Sequence, residues 1–430
     1  MDMIPSSNHA DCRQEQLTSP ETNSHLWEVL YSYDYMSGCP DPSIFAKVAP
    51  DGTIKSPAFF KLFMKEITPK INANSIPLHP KEAGLPWHTS LNIMSQNKHW
   101  KPAIALTSRL LELFAADETA RNSFGRKKKS YADIAQAEIG HVHDSWGRFS
   151  AYLWPAADQQ RLELLAATLV FIMIFDDVWE MNEDDTIHKI QVEYISRLKP
   201  ADASAMCNMT PLQALISNIV WDIHNEDKWG NGGKEVIEGL IDFCNHPPPP
   251  KHFTTLREFL DYRIQDAGMP YVLVAFAHIN HKLDADSSYN LACIKFSLGS
   301  NLDIGGPRIA HFVSLVSDHV CYANDLASFD KEKEAYVNGD VLYLINVVDM
   351  VQKVFNLPDS NSAKSAALAI QLEIERQIVA ELSRLRASND VTSEEFEYVE
   401  GLVYLLVGNI FTSVVSCRYG GEQARLCTTL

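Results

Sequence analysis

The stretch LLAATLVFIMIFDDVWE, Leu164 to Glu180, decides the fold. Its apolar part, Leu164–Phe175, is 12 residues long, short of the roughly 20 needed to cross a bilayer and suited to a buried core helix. Pro155 opens the segment with Asp158 in its first turn, both favourable at a helix start. The run ends directly in Asp176-Asp177-Val178-Trp179-Glu180. On a helix Asp176 and Glu180 are i and i+4, so they share a face and converge on one point. Asp177 points about 100° away and is expected to bind an arginine or cap the structure. Acidic pairs often form a solvated helix end, and Asn182–Asp185 reads as one. Asp176 and Glu180 differ because they end a very hydrophobic helix, at the rim of the core, where unpaired charge is costly. Hard oxygen ligands of this kind suit Mg²⁺.

Outward from this helix the pattern stays helical. Further helices are expected over Thr210–Asn225, Lys234–Cys244, Thr255–Gln265, Ser287–Ser297, Arg308–Lys333, Gly339–Val354, Ala363–Ala387 and Ser393–Cys417, with few alternating stretches. His246–Pro250 (HPPPP) cannot continue a helix and reads as an exposed loop. The class is all-α with one main domain. Residues 1–25 are a polar, flexible arm, 26–100 an extension packed on the core, and 101–430 the domain itself.

Of 430 residues, 46% are hydrophobic, and the formal net charge is −18. So acidic a surface argues against nucleic-acid binding and leaves any anionic substrate in need of metal ions. Cys12, Cys39, Cys207, Cys244, Cys293, Cys321, Cys417 and Cys427 show no CxxC pairing and read as reduced thiols of a cytoplasmic protein. The polar N-terminus lacks a secretory core, and no transmembrane segment is expected. His141-Val142-His143-Asp144 is structural, since alternate histidines on a helix diverge. Arg126–Lys129 is a solvated basic run.

A second acidic helix carries Asn324, Ser328 and Glu332 at i, i+4 and i+8, with Lys331 beside them. Three oxygens then stack along one face over two turns, a ligand set for one divalent ion. These two stretches together resemble the class I terpene synthases, specifically the filamentous-fungal terpene cyclases. The DDxx(D/E) motif of that family is matched by Asp176–Glu180, NDxxSxxKE by Asn324–Glu332 and the C-terminal Arg-Tyr pair by Arg418-Tyr419. The family's arginine, aspartate and glycine upstream of the triad find a match in Arg263, Asp266 and Gly268. Arg263 lies farther from Asn324 than the family pattern has it, so either an insertion sits around His281–Asn290 or another arginine serves.

The resemblance, over about residues 100 to 425, implies a class I terpenoid synthase helical bundle around a central apolar cavity. It implies a cofactor of three Mg²⁺ ions, held by Asp176, Glu180, Asn324, Ser328 and Glu332, and a prenyl diphosphate bound by Arg263, Lys331, Arg418 and Tyr419. Asp176, Arg263, Arg418 and Tyr419 would then act in ionisation, with Gly268 offering a carbonyl to the allylic carbon. Helix phase nominates a cavity wall of Leu169, Ile172 and Met173, of Phe312, Val316 and Val320, and of Phe411 and Val415. Farnesyl diphosphate cyclisation to a sesquiterpene is the first expectation. Geranylgeranyl diphosphate cyclisation is its neighbour. A chain-elongating prenyltransferase, which uses two aspartate-rich motifs, and a non-catalytic helical binding protein are the remaining alternatives. A homodimer is compatible with this family.

Overall fold

A computed structural model describes residues 26–48, 73–122, 129–144, 146–182, 184–199, 209–226, 232–269, 289–304 and 306–426. Residues 1–25, most of the basic run at 126–129, and 281–288 of the suspected insertion lie outside them. A short 3₁₀ helix, Pro42–Val48, and a two-stranded antiparallel ladder, β1 (Ser75–Pro77) with β2 (Ser95–Asn97), precede the helices. The helices are α1 (Trp100–Ala116), α2 (Tyr131–Ile139), α3 (Phe149–Leu153), α4 (Gln159–Trp179), α5 (Asp184–Leu198), α6 (Pro211–Glu226) and α7 (Gly233–Cys244). There follow α8 (Leu256–Asp266), α9 (Tyr289–Leu298), α10 (Ala310–Asn338), α11 (Val347–Val354), α12 (Ser360–Ala387), α13 (Ser393–Val415) and α14 (Cys417–Gly420).

Helix α4 starts later than the sequence suggests. Asp158 is its N-cap, accepting from Arg161 N at 2.9 Å; it satisfies an orphan amide from just outside the first turn. The helix is buried on nearly every side from Leu162 to Phe175. Helix α13 is buried without interruption from Tyr398 to Val415. It is the one helix among the described residues long and apolar enough to cross a membrane, but protein covers it entirely. Helices α3, α10 and α9 pack on α13, and α1 and α7 pack on α4.

The crossing of α3 on α13 depends on Gly408. A Cβ there would lie 2.2 Å from the Tyr152 carbonyl oxygen, so only glycine lets the backbones approach. Beside it the Tyr152 and Phe411 rings meet edge to face at 4.7 Å. The expected helix over Gly339–Val354 is a different structure. Gly339 is left-handed (φ 76°) and ends α10, as helix C-termini commonly require. Residues 340–346 then run irregularly to Asn346, whose side chain caps α11 at Val348 N.

The described N-terminal residues lie across the C-terminal helices. Tyr33 N donates to Val414 O at 2.8 Å, and the Tyr33 hydroxyl reaches Asp330 at 3.1 Å. Farther on, buried Glu375 of α12 accepts from Thr89 Oγ1 (2.8 Å), Ser90 N (2.7 Å) and Ser90 Oγ (2.6 Å), with His319 Nε2 at 3.1 Å. The His143 ring stands edge-on to Trp27, and Asp144 O accepts from Cys417 N at 2.8 Å, so this histidine-rich turn serves packing. Among the described residues Cys39, Cys244, Cys293, Cys321 and Cys417 are free thiols.

Candidate active site

The C-terminal ends of α4 and α8 and the middle of α10 face α13 and α14 across a cavity of about 180 Å³. Its polar end brings together Asp176, Asp177 and Glu180 of α4, Arg263 and Asp266 of α8, Asn324, Lys331 and Glu332 of α10, and Arg418 and Tyr419 of α14. Residues scattered over more than half the chain thus meet at one mouth.

The carboxylates of Asp176 and Glu180 have no hydrogen-bond or ion-pair partner among the described residues. Burial, together with the charges of Asp266 and Asp177, pushes Asp176 up to about 7. Burial and the nearby Asp176 and Glu332 carboxylates push Glu180 well above the usual range. Asp177 behaves differently. Burial would raise it as well, but Arg418 and Lys331 outweigh burial and hold it low. Arg418 Nη2 donates to Asp177 Oδ1 at 2.5 Å and Nη1 to Glu138 Oε1 at 3.0 Å, with the guanidinium 5.2 Å from the Trp146 ring centre. The arginine expected from the direction of Asp177 is therefore Arg418. A chain break positions it: Ser416 is extended between α13 and α14, and its side chain accepts from Arg418 N.

Arg263 is buried and held by three side chains. Its Nε and Nη2 donate to Asp325 Oδ1 (3.0 and 2.8 Å), Nη1 to Asp266 Oδ2 (2.5 Å), and Nη2 also to Asn324 Oδ1 (3.2 Å). Asp266 is shared, because its other oxygen lies 3.2 Å from His246 Nε2. His246 Nδ1 faces Phe243 O at 2.5 Å, while Nε2 approaches Asp266 at ion-pair distance without forming a well-aligned hydrogen bond. Burial alone would depress His246, yet Asp266 raises it on balance. The ring stacks on Trp179 at 4.3 Å. The prolines of the HPPPP segment are the surface loop expected, but its histidine is buried.

The triad is held by protein partners. Asn324 Nδ2 donates to the Tyr419 hydroxyl (3.0 Å), and Glu332 Oε2 accepts from Asn346 Nδ2 (2.9 Å). Ser328 lies beneath the wall, 1% exposed, its hydroxyl donating to Asn324 O at 2.9 Å. Gly268 (φ 64°) ends α8, and its neighbour Ala267 is the one on the lining. Lys331 is exposed at the mouth.

Of the apolar residues nominated by helix phase, the cavity wall holds Leu169, Ile172 and Val320. Met173, Phe312, Val316, Phe411 and Val415 pack in the solid core. Helix phase gives direction and says nothing of depth. Phe312 and Val316 are fully buried and do not reach the lining. Trp146, Phe149, Phe243, Leu405 and Asn409 line the cavity with no signal in the acidic motifs to announce them. Asp325, next to Asn324 in the sequence, is legible only once Arg263 is placed beside it.

Two curated fungal relatives align along most of the chain. Terpene cyclase 6 of Gibberella fujikuroi is 25% identical over 386 residues, covering 87% of this chain and 93% of that protein. Terpene cyclase aneC of Aspergillus aculeatus is 22% identical over 438 residues, covering 98% and 88%. The chain is a homologue of fungal terpene cyclases. This homologue also has the class I terpene synthase fold. Aristolochene synthase from Penicillium roqueforti superposes with a TM-score of 0.54 at 17% identity, over 72% of this chain and 94% of that one. No family model matches the sequence.

Carboxylates outnumber fixed cations at the mouth, and two of them lack a side-chain partner among the described residues. Such a set fits divalent cations with oxygen ligands. Among the described residues, no three His, Cys, Asp or Glu side chains gather closely enough to hold an ion by themselves. An ion here would draw on amide and hydroxyl oxygens and on both walls.

Proposed function

We propose that the chain is a terpene cyclase, a carbon–oxygen lyase acting on phosphates, that converts farnesyl diphosphate to a cyclic sesquiterpene with release of diphosphate. The observation that carries this reading is the pair Asp176 and Glu180. They are carboxylates without a partner among the described residues, at the end of a buried apolar helix and beside a cavity whose far wall is apolar and aromatic. Asp176 and Glu180 on one wall, and Asn324, Ser328 and Glu332 on the other, would hold Mg²⁺, three ions by the family resemblance. When bound, the metal neutralises charge that develops on the leaving oxygens.

Lys331, Arg418 and Tyr419 donate to the diphosphate from the rim. Arg263 reaches it while Asp266 and Asp325 fix its plane. The C–O bond breaks heterolytically, its electron pair leaves with the diphosphate, and an allylic cation remains in the cavity. Leu153, Leu169, Ile172 and Leu405 exclude bulk water from it. The faces of Trp146, Phe149 and Phe243 offer negative potential to positive charge.

The test is incubation of the purified protein with Mg²⁺ and each C10 to C25 prenyl diphosphate, followed by gas chromatography–mass spectrometry. A cyclic product, formed best from the C15 substrate, is expected. Inorganic diphosphate without any cyclic product would overturn the cyclase reading.

A further inference from the structure

We propose that Asn409 holds one water molecule at the cavity wall and that this water adds to the final carbocation, so that the product is a cyclic alcohol. The inference rests on the cyclase reading and specifies how its reaction ends.

Asn409 lies on α13 within a run of buried residues, Tyr398–Val415, and is itself 3% exposed. It lines the cavity with Leu405 one turn before it, and with Phe149, Leu153 and Leu169. Its amide nitrogen is buried without a hydrogen-bond partner. The neighbouring polar groups of α13 are accounted for: Thr412 donates to Gly408 O at 2.9 Å and Ser413 to Asn409 O at 2.8 Å. Asn409 lines the cavity, and among the described residues its amide nitrogen keeps unused hydrogen-bonding capacity. The same wall has a second orphan donor in the buried indole nitrogen of Trp146.

An unsatisfied buried amide is costly and in native proteins calls for an explanation. A water molecule supplies one. It accepts from Asn409 Nδ2–H through one lone pair and keeps the other for the cavity. That second pair forms the C–O bond to the carbocation. The resulting oxonium loses a proton to an oxygen of the released diphosphate, and no oxidant or reductant is needed. A water held by Asn409 adds at the carbon nearest Asn409; the Trp146 indole is the other orphan donor on this wall among the described residues.

The experiment uses the full chain with Mg²⁺ and farnesyl diphosphate in H₂¹⁸O. The expected main product is a cyclic alcohol whose mass rises by the isotope difference. In Asn409→Leu, close in size and unable to hold water, the alcohol-to-hydrocarbon ratio falls about tenfold, the effect of one lost hydrogen bond. A cyclic hydrocarbon as the main wild-type product, or an alcohol without ¹⁸O, overturns the water and leaves the cyclase reading standing. An unchanged ratio in Asn409→Leu overturns the role of Asn409. If no prenyl diphosphate yields a cyclic product with the wild type, the cyclase reading itself falls and the water with it. The wild-type labelling decides the question even if the variant fails to fold.

Discussion

Replacing Asp176 by Asn separates the charge of the mouth from its shape. Asp176 has an ordinary value of 3.8 and stands at about 7 in the folded chain, because burial and then the Asp266 and Asp177 charges oppose its ionisation. For a carboxyl raised by folding, the sign is a penalty at high pH. Below its ordinary value the group is protonated in both states and costs nothing. Between about 4 and 7 the penalty grows as pH rises, and above 7 it is complete. A shift of three units corresponds to about 4 kcal/mol. Asp176 is partly open to the cavity, and solvent screening reduces this to about 2 kcal/mol. Unfolding entropy scales with length, so in a chain this long each kcal/mol moves Tm by roughly 1 °C.

Metal-free Asp176→Asn protein at pH 8 is therefore expected to melt roughly 2 °C above wild type, with a smaller gap at pH 5. Magnesium is expected to raise the wild-type Tm at pH 8 by more than that of the variant, because ions neutralise the charge that the variant lacks. Differential scanning calorimetry in chelator and in magnesium, at both pH values, measures all four combinations. An equal gap at pH 5 and pH 8, or a variant less stable at pH 8 without metal, would refute the view of this mouth as carboxylates awaiting cations.

Leu169 lines the cavity and Met173, one turn on, does not. Leu169→Ala should redistribute products, whereas Met173→Ala should cost about 2–5 kcal/mol of stability with the product pattern intact, by product analysis and denaturant unfolding. Gly408→Ala sets a Cβ against the Tyr152 carbonyl, and should lower stability by more than the 1–3 kcal/mol of ordinary overpacking or abolish soluble expression. Glu375→Ala leaves Thr89, Ser90 and His319 without their acceptor. Loss of such a buried network costs about 3–5 kcal/mol, and limited proteolysis should then cut first within residues 75–97. Cleavage at the wild-type rate would show that Glu375 does not anchor that segment.

Helix existence was legible because it rests on local periodicity, and helix ends were legible where a cap is written in the sequence. Thr255 and Thr392 accept from Glu258 N and Glu395 N, and both helices begin within one residue of expectation. The exception, Gly339–Val354, fails for a local reason too: one left-handed glycine ends α10, and Asn346 begins a new helix seven residues on. The acidic motifs were legible since their spacing survives in one dimension. Cavity depth was not, because Phe312, Val316 and Phe411 satisfy the same periodicity as Val320 and differ only in what packs below them. His246 was missed for the opposite reason. Its proline-rich context signals a surface loop, and only the fold reveals that the histidine turns inward to Asp266.

That inward turn bears on how the mouth can be stable at all. Arg263 satisfies Asp325 and one oxygen of Asp266, and Arg418 satisfies Asp177 and Glu138. The second oxygen of Asp266 lies against His246, whose other nitrogen faces a carbonyl. Asp325 and Asp266 thus have partners at both oxygens and Asp177 has Arg418, and the charge left over among the described residues is concentrated on Asp176 and Glu180. Breaking a buried ion pair costs more than leaving a rim carboxylate open to solvent. The fold has therefore placed its unsatisfied charge where a soluble ion can reach it. Removing His246 should free Asp266, loosen Arg263 and raise KM for a diphosphate substrate more than it lowers kcat. His246→Gln, able to donate to Asp266, should recover part of the loss seen in His246→Ala. Equal kinetics in the two variants would show that the histidine only fills space beneath Trp179.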